Sequence, residues 1–242
     1  MPFSSLQRSE RKVHSQNGED GVLEAIFARL GTTNKYFVEF GCGDGTECNS
    51  AFLLEQGWRG LMMDSAGVSN NPRATIHAEF ITAENINALF QKYGVPPQFD
   101  LLSIDIDGND FWVWREIAAR PRVVVIEYNS HVPPDVCSAI VYDPAFQSNG
   151  TDYFGASLLA LELLGREKGY TLIHCERAGV NAFFVAHEAL PHGFQSSPIA
   201  RLYRPPNYNY QGMRLRPDPA RTMIDPFNEF NQWFSQIDCF GP

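Results

Sequence analysis

Five short apolar runs, Tyr36–Phe40, Gly60–Met63, Thr75–Ile81, Phe99–Ile104 and Arg122–Ile126, alternate along the chain with stretches of helical periodicity. Each run is too short for an ordinary helix, and its nearly continuous apolar character suits a strand buried on both faces. Strands alternating with helices specify a parallel sheet covered on two sides. The intervening segments Glu47–Gln56, Glu84–Tyr93 and Asp110–Ala119 are the crossover helices, the last ending before the Arg120–Pro121 step. Ahead of the sheet, Gly21–Leu30 places Val22, Leu23, Ile26, Phe27 and Leu30 on one helical face. After it come a helix at Ala156–Lys168, a strand at Tyr170–Cys175, a turn at Arg177–Gly179 and a strand at Asn181–Ala186. This closing hairpin adds one antiparallel strand. The expected fold is therefore a doubly wound, Rossmann-like α/β sheet of about seven strands, mostly parallel with one antiparallel strand, with helices on both faces.

With 242 residues, 44% of them hydrophobic, the chain suits one domain. Its parts are an N-terminal helical segment at 1–35, the Rossmann-like core at 36–188 and a covering arm at 189–242, in which Phe227–Phe234 suggests a short helix. Residues 129–154 form a connection longer than joining two elements requires, which marks a lid or a substrate wall. The arm's aromatics suit either a cover over this domain or a contact with a second copy, so a homo-oligomer is compatible with them.

A net charge of −9 and the lack of a Lys/Arg run argue against a nucleic-acid partner. Five scattered cysteines without a CxxC pair read as reduced thiols, and the polar N-terminus and absence of a long apolar run argue against export and membrane insertion. The expected setting is cytoplasmic.

The first apolar run leads directly into Gly41-Cys-Gly43-Asp44-Gly45, three glycines at alternate positions that let the backbone approach a ligand closely. In an open α/β sheet that loop lies at the ligand crevice. A dinucleotide fingerprint would need a small residue where Thr46 stands, which weakens a nicotinamide-dinucleotide reading. The second run ends in Asp64, 19 residues beyond Gly45, where a carboxylate can accept hydrogen bonds from both ribose hydroxyls.

The order Glu39-Phe-Gly41-Cys-Gly43-Asp44-Gly45 resembles the first motif of the class I S-adenosylmethionine-dependent methyltransferases. That resemblance implies that Glu39 and the glycine loop (Gly41, Gly43, Asp44, Gly45) hold the methionine moiety, Asp64 the ribose, and Thr82-Ala83-Glu84-Asn85 the adenine edge. More narrowly, Ser15-Gln-Asn-Gly-Glu-Asp20 and Leu102-Ser-Ile-Asp-Ile-Asp-Gly108 are similar to segments of the FkbM-like branch, over residues 14–186. The branch commonly carries Lys-Ile-Asp-x-Glu-Gly at the fourth strand, where this chain has Ser103 and Asp107.

The fourth and fifth strands end in Asp105-Ile-Asp107-Gly-Asn-Asp110 and Glu127-Tyr-Asn129-Ser-His131, crowding oxygens into one crevice. Such a cluster raises its own pKa values or holds a hard cation such as Mg²⁺. A metal would polarise an acceptor hydroxyl, and catechol-type methyltransferases use acids at similar strand ends. Asp105, Glu127 and Asn129 are the first choices as metal ligands. Asp105, Asp107 and His131 are the catalytic candidates, with Asp105 also counted among the cofactor contacts and His131 favoured as base because it lies just past a strand end. Asp107 and Asp110 can instead cap the next helix, and capping is the expected role of Asp110.

The expected activity is methyl transfer from S-adenosylmethionine to an oxygen or nitrogen of a small-molecule or sugar-like acceptor, with a divalent metal as an assisting group. The alternatives are a metal-dependent hydroxylase on the same scaffold and a non-catalytic binding module that uses the aromatic arm.

Overall fold

The computed structural model describes residues 3–208 and 215–228 of the chain. A 3₁₀ turn at Phe3–Arg8 precedes α1 (Glu19–Leu30), β1 (Tyr36–Phe40), α2 (Ala51–Glu55), β2 (Arg59–Asp64), β3 (Ile76–Ala78), α3 (Ile86–Lys92) and β4 (Gln98–Ile104). Then come α4 (Asp110–Glu116), β5 (Arg120–Glu127), α5 (Leu158–Glu167), β6 (Tyr170–Cys175), β7 (Asn181–Ala186) and α6 (Ile199–Leu202). The expected sheet of seven strands is present, in the order β3-β2-β1-β4-β5-β7-β6. β1 to β5 are parallel and β7 is antiparallel to both of its neighbours.

Alternation along the buried strands builds two cores. Val38, Phe40, Leu102, Ile104, Val124 and Ile126 point to the face covered by α3, α4 and α5. Phe37, Leu101, Val123 and Val125 point to the face covered by α1 and α2. With both faces covered, the sheet can carry ligand groups only at its rim. The strand order reverses direction between β1 and β4, and the carboxyl ends of those strands open the crevice there.

Three elements differ from expectation for local reasons. Residues 47–50 are a turn, because the backbone N–H groups of Asn49 and Ser50 donate to the Glu39 carboxylate and α2 starts only after them. β3 is confined to Ile76–Ala78 at the sheet edge, since Glu79 N–H donates to the Asp64 carbonyl and the chain then turns along the crevice. Arg120 and Pro121 already belong to β5, paired with Gln98 and Phe99, so α4 ends at Glu116.

The arm is tied back at several points. Ala139 and Ile224 exchange backbone hydrogen bonds, Asp152 N–H donates to the Arg216 carbonyl, and Asn207 N–H to the Ala178 carbonyl. Residues 226–228 are helical, and the rest of the helix expected at 227–234 lies outside the described residues. No helix among the described residues is long and apolar enough to cross a membrane.

Candidate active site

Gly41 sets the geometry of the crevice. Its φ of 73° is left-handed, and a Cβ built on it would lie 1.4 Å from the Asp105 carbonyl oxygen. Only glycine lets the β1 loop pass so close to the end of β4. Gly43 N–H donates to Asp64 Oδ2 at 3.0 Å and Ala66 N–H donates to Oδ1 at 2.9 Å. Each oxygen keeps a second lone pair, so the Asp64 carboxylate is fixed in place and still able to accept.

Beside this pair lies an open cleft of about 350 Å³, within the range of small-molecule sites. Gly41, Gly43, Asp64, Asp105, Asp107 and Glu127 all line it, so the strand ends bring together six residues singled out from the sequence. One carboxylate oxygen each of Asp105, Asp107 and Glu127 lies within 4.8 Å of the other two. Burial, followed by the charges of Asp110, Asp107, Glu39 and Glu19, pushes the Asp105 carboxyl well above its usual range. Burial and then Asp105 do the same for Glu127. Burial raises Asp107, whose φ of 55° is unusual for a residue with a side chain. Asp110 does not cap α4, of which it is the first residue: its oxygens accept from Ile106 N–H and Gly108 N–H at 2.9 Å each and fold the loop ahead of the helix.

Other candidates lie elsewhere. The Glu39 oxygens accept from the backbone of Asn49 and Ser50 and from the hydroxyls of Ser50 and Ser103, four donors that use its acceptor capacity inside the protein. Glu39 therefore holds the loop from beneath. Asp44 accepts from Thr46 and from Asn70 Nδ2, and the Gly45 carbonyl from Asn71 Nδ2, which fastens the loop to Asn70 and Asn71. Thr82, Ala83 and Glu84 sit just past the cleft lining, with Ala83 N–H and Glu84 both bonded to the Tyr142 hydroxyl; Phe80 and Ile81 line the wall instead.

Asn129 and His131 are not brought to the cleft. Asn129 Nδ2 donates to the carbonyls of Asp152 and Phe154, and its Oδ1 accepts from His131 N–H at 3.0 Å. This amide clasps the two ends of the 129–154 connection together, so its oxygen is engaged in the loop and does not face the acids. His131 lies under the arm, its ring near Phe154 and Tyr208 and its Nε2 3.5 Å from Leu215 N.

The long connection reaches the cleft through one residue among those described. Phe146 lines the cleft and packs on Gly108, where an added Cβ would lie 2.3 Å from the ring. Gln16, from the segment ahead of α1, also lines the cleft. That segment is folded by Asp20, whose Oδ2 accepts from the backbone of Val13, His14 and Ser15, and is tied to β7 by Glu19 accepting from Asn181 Nδ2. Asn109 also lines the cleft and carried no signal in the sequence beyond its place beside Gly108. None of the described lining residues is a lysine, arginine or histidine.

No protein-family model matches the chain, and no curated protein matches it.

Proposed function

We propose that the protein is an S-adenosylmethionine-dependent methyltransferase acting on an oxygen or nitrogen of a small-molecule acceptor. The observation that carries this reading is the Asp64 carboxylate, locked by Gly43 N–H and Ala66 N–H at the mouth of the cleft with accepting capacity left over.

The donor set of the cleft fits a cationic nucleoside better than a phosphorylated one. Asp64, Glu79, Asp105, Asp107 and Glu127 line it without a basic side chain among the described residues, so a pyrophosphate would meet repulsion where a sulfonium would meet attraction. Gly43 has open space where a Cβ would stand, which leaves its backbone approachable. When bound, S-adenosylmethionine supplies an electrophilic methyl group.

In this reading Asp64 binds the ribose hydroxyls, and Phe80 and Ile81 offer apolar contact to the base. Gly41 and Gly43 bring the loop backbone to the amino-acid end. Phe146, from the 129–154 connection, narrows the water-exposed side, which favours alignment of the acceptor. Asp105 and Glu127 stand at the acceptor's end, and a carboxylate whose pKa is raised is a stronger proton acceptor for a hydroxyl or ammonium. A facial-triad iron oxygenase would need two imidazoles, and no histidine stands among the described lining residues.

The test is calorimetric titration of S-adenosylhomocysteine into the wild-type protein and into Asp64→Ala. One site per chain that Asp64→Ala weakens is expected. Absence of binding to the wild-type protein overturns the reading.

A further inference from the structure

We propose that Asp105, Asp107 and Glu127, with the side-chain carbonyl of Asn109 as a neutral fourth ligand, form a site for one hard divalent cation of the Mg²⁺, Mn²⁺ or Ca²⁺ kind. The inference concerns the cleft itself and does not depend on the nucleoside reading.

Three carboxylate oxygens within 4.8 Å of one another are close enough to share an ion. Two further observations point to something absent from the protein's own hydrogen bonding. Glu127 Oε2 is fully buried and has no partner, and so is Asn109 Oδ1. Asn109 is only 6% exposed and lines the same cleft. Its amide orientation is fixed, because Nδ2 donates to the Asp143 carbonyl at 2.7 Å and exchanging N and O would set two oxygens against each other. A buried carbonyl oxygen and a buried carboxylate oxygen left without donors cost free energy that a ligand can recover.

Two kinds of ligand could satisfy these atoms, a hydrogen-bond donor or a cation. None of the described lining residues, Gln16 and Ser65 included, donates a hydrogen bond to either atom. Four oxygens of mixed charge, without sulfur or imidazole, are the ligand set of a hard cation, with water completing the shell. Bound there, the ion would offset most of the charge of the three carboxylates and offer a Lewis-acidic centre against which an oxygen of the acceptor could dock.

The experiment is titration of Mn²⁺ into chelator-treated full-length protein, followed by calorimetry and by the electron paramagnetic resonance signal of free Mn²⁺, with no S-adenosyl compound present. One Mn²⁺ per chain is expected. Asp105→Asn and Glu127→Gln should each weaken it by at least about tenfold, and Asn109→Ala by less. Asn109→Asp, which keeps the side chain's size and adds charge, should tighten it. Glu24→Gln, an exposed acid outside the cleft paired with Arg11, should leave it unchanged. Circular dichroism identifies any variant that fails to fold, and Asn109→Asp then decides the outcome. No stoichiometric binding, or binding indifferent to the Asp105, Glu127 and Asn109 changes, overturns the inference. A parallel S-adenosylhomocysteine titration separates the two readings: Mn²⁺ failure with nucleoside binding intact removes only the cation site, and the reverse removes only the nucleoside site.

Discussion

The Gly41 backbone and the Asp105 carbonyl are packed so closely that a methyl group on Gly41 would overlap the oxygen at 1.4 Å. Both partners of the clash are main chain, so neither can swing away. Gly41→Ala should destabilise the fold by on the order of 3 kcal/mol, from left-handed strain and overpacking together. Gly43→Ala has the same left-handed requirement, φ 55°, but open space around it, and should cost about 1 kcal/mol. Denaturant unfolding of the two variants compares them directly, and equal losses would show that the close approach is not the governing contact.

Asp64→Asn keeps the shape of the strand-end residue but replaces one carboxylate oxygen by an amide donor facing Gly43 N–H or Ala66 N–H. The loop loses a charge-assisted acceptor and a ribose loses a partner. S-adenosylhomocysteine affinity should fall by about ten- to a hundredfold, the value of one or two hydrogen bonds to a charged group. Calorimetry on wild type and variant, at matched salt, measures this.

Glu176 provides a pH-dependence that can be read in stability. Burial, and then the charge of Glu19, raise its carboxyl from the usual range to about 7, despite N–H donors from Val180, Asn181 and Ala178. The folded protein therefore binds this proton more tightly than the unfolded chain. Its contribution is complete below about pH 4 and is lost as pH rises through about 7, a change of about 3 kcal/mol. Glu176→Gln should flatten the unfolding free energy across that interval. A variant profile with the wild-type slope would assign the dependence to other groups.

Tyr128 fastens the arm: its hydroxyl donates to the Arg204 carbonyl at 2.7 Å and accepts from Arg204 N–H at 3.2 Å. Tyr128→Phe leaves both main-chain groups without that partner and should cost about 1–3 kcal/mol. Hydrogen exchange at residues 203–207 should accelerate in the variant while the sheet remains protected. Unchanged exchange there would mean that the Asn207–Ala178 contact suffices to hold the arm.

Much of the fold was legible because buried parallel strands write themselves as apolar runs. β1, β6 and β7 fall on the residues expected, and the glycine loop and Asp64 were marked by their places at strand ends. Periodicity does not report how a loop turns after it leaves the sheet. Asn129 and His131 come two and four residues after Glu127, the last residue of β5, yet the Asn129 amide is drawn to the carbonyls of Asp152 and Phe154, 23 and 25 residues away, and takes His131 with it. Asn109 and Phe146 were invisible for the complementary reason. They line the cleft because the loop after β4 meets the loop around residue 143, a long-range contact with no local pattern.

Glu39, saturated by four donors from residues 49, 50 and 103, means that the floor of the crevice is assembled before any ligand arrives. A molecule entering there would not have to organise the loop that receives it. Its association should then be governed by diffusion through the open side of the cleft, and its residence time by the contacts made at the rim.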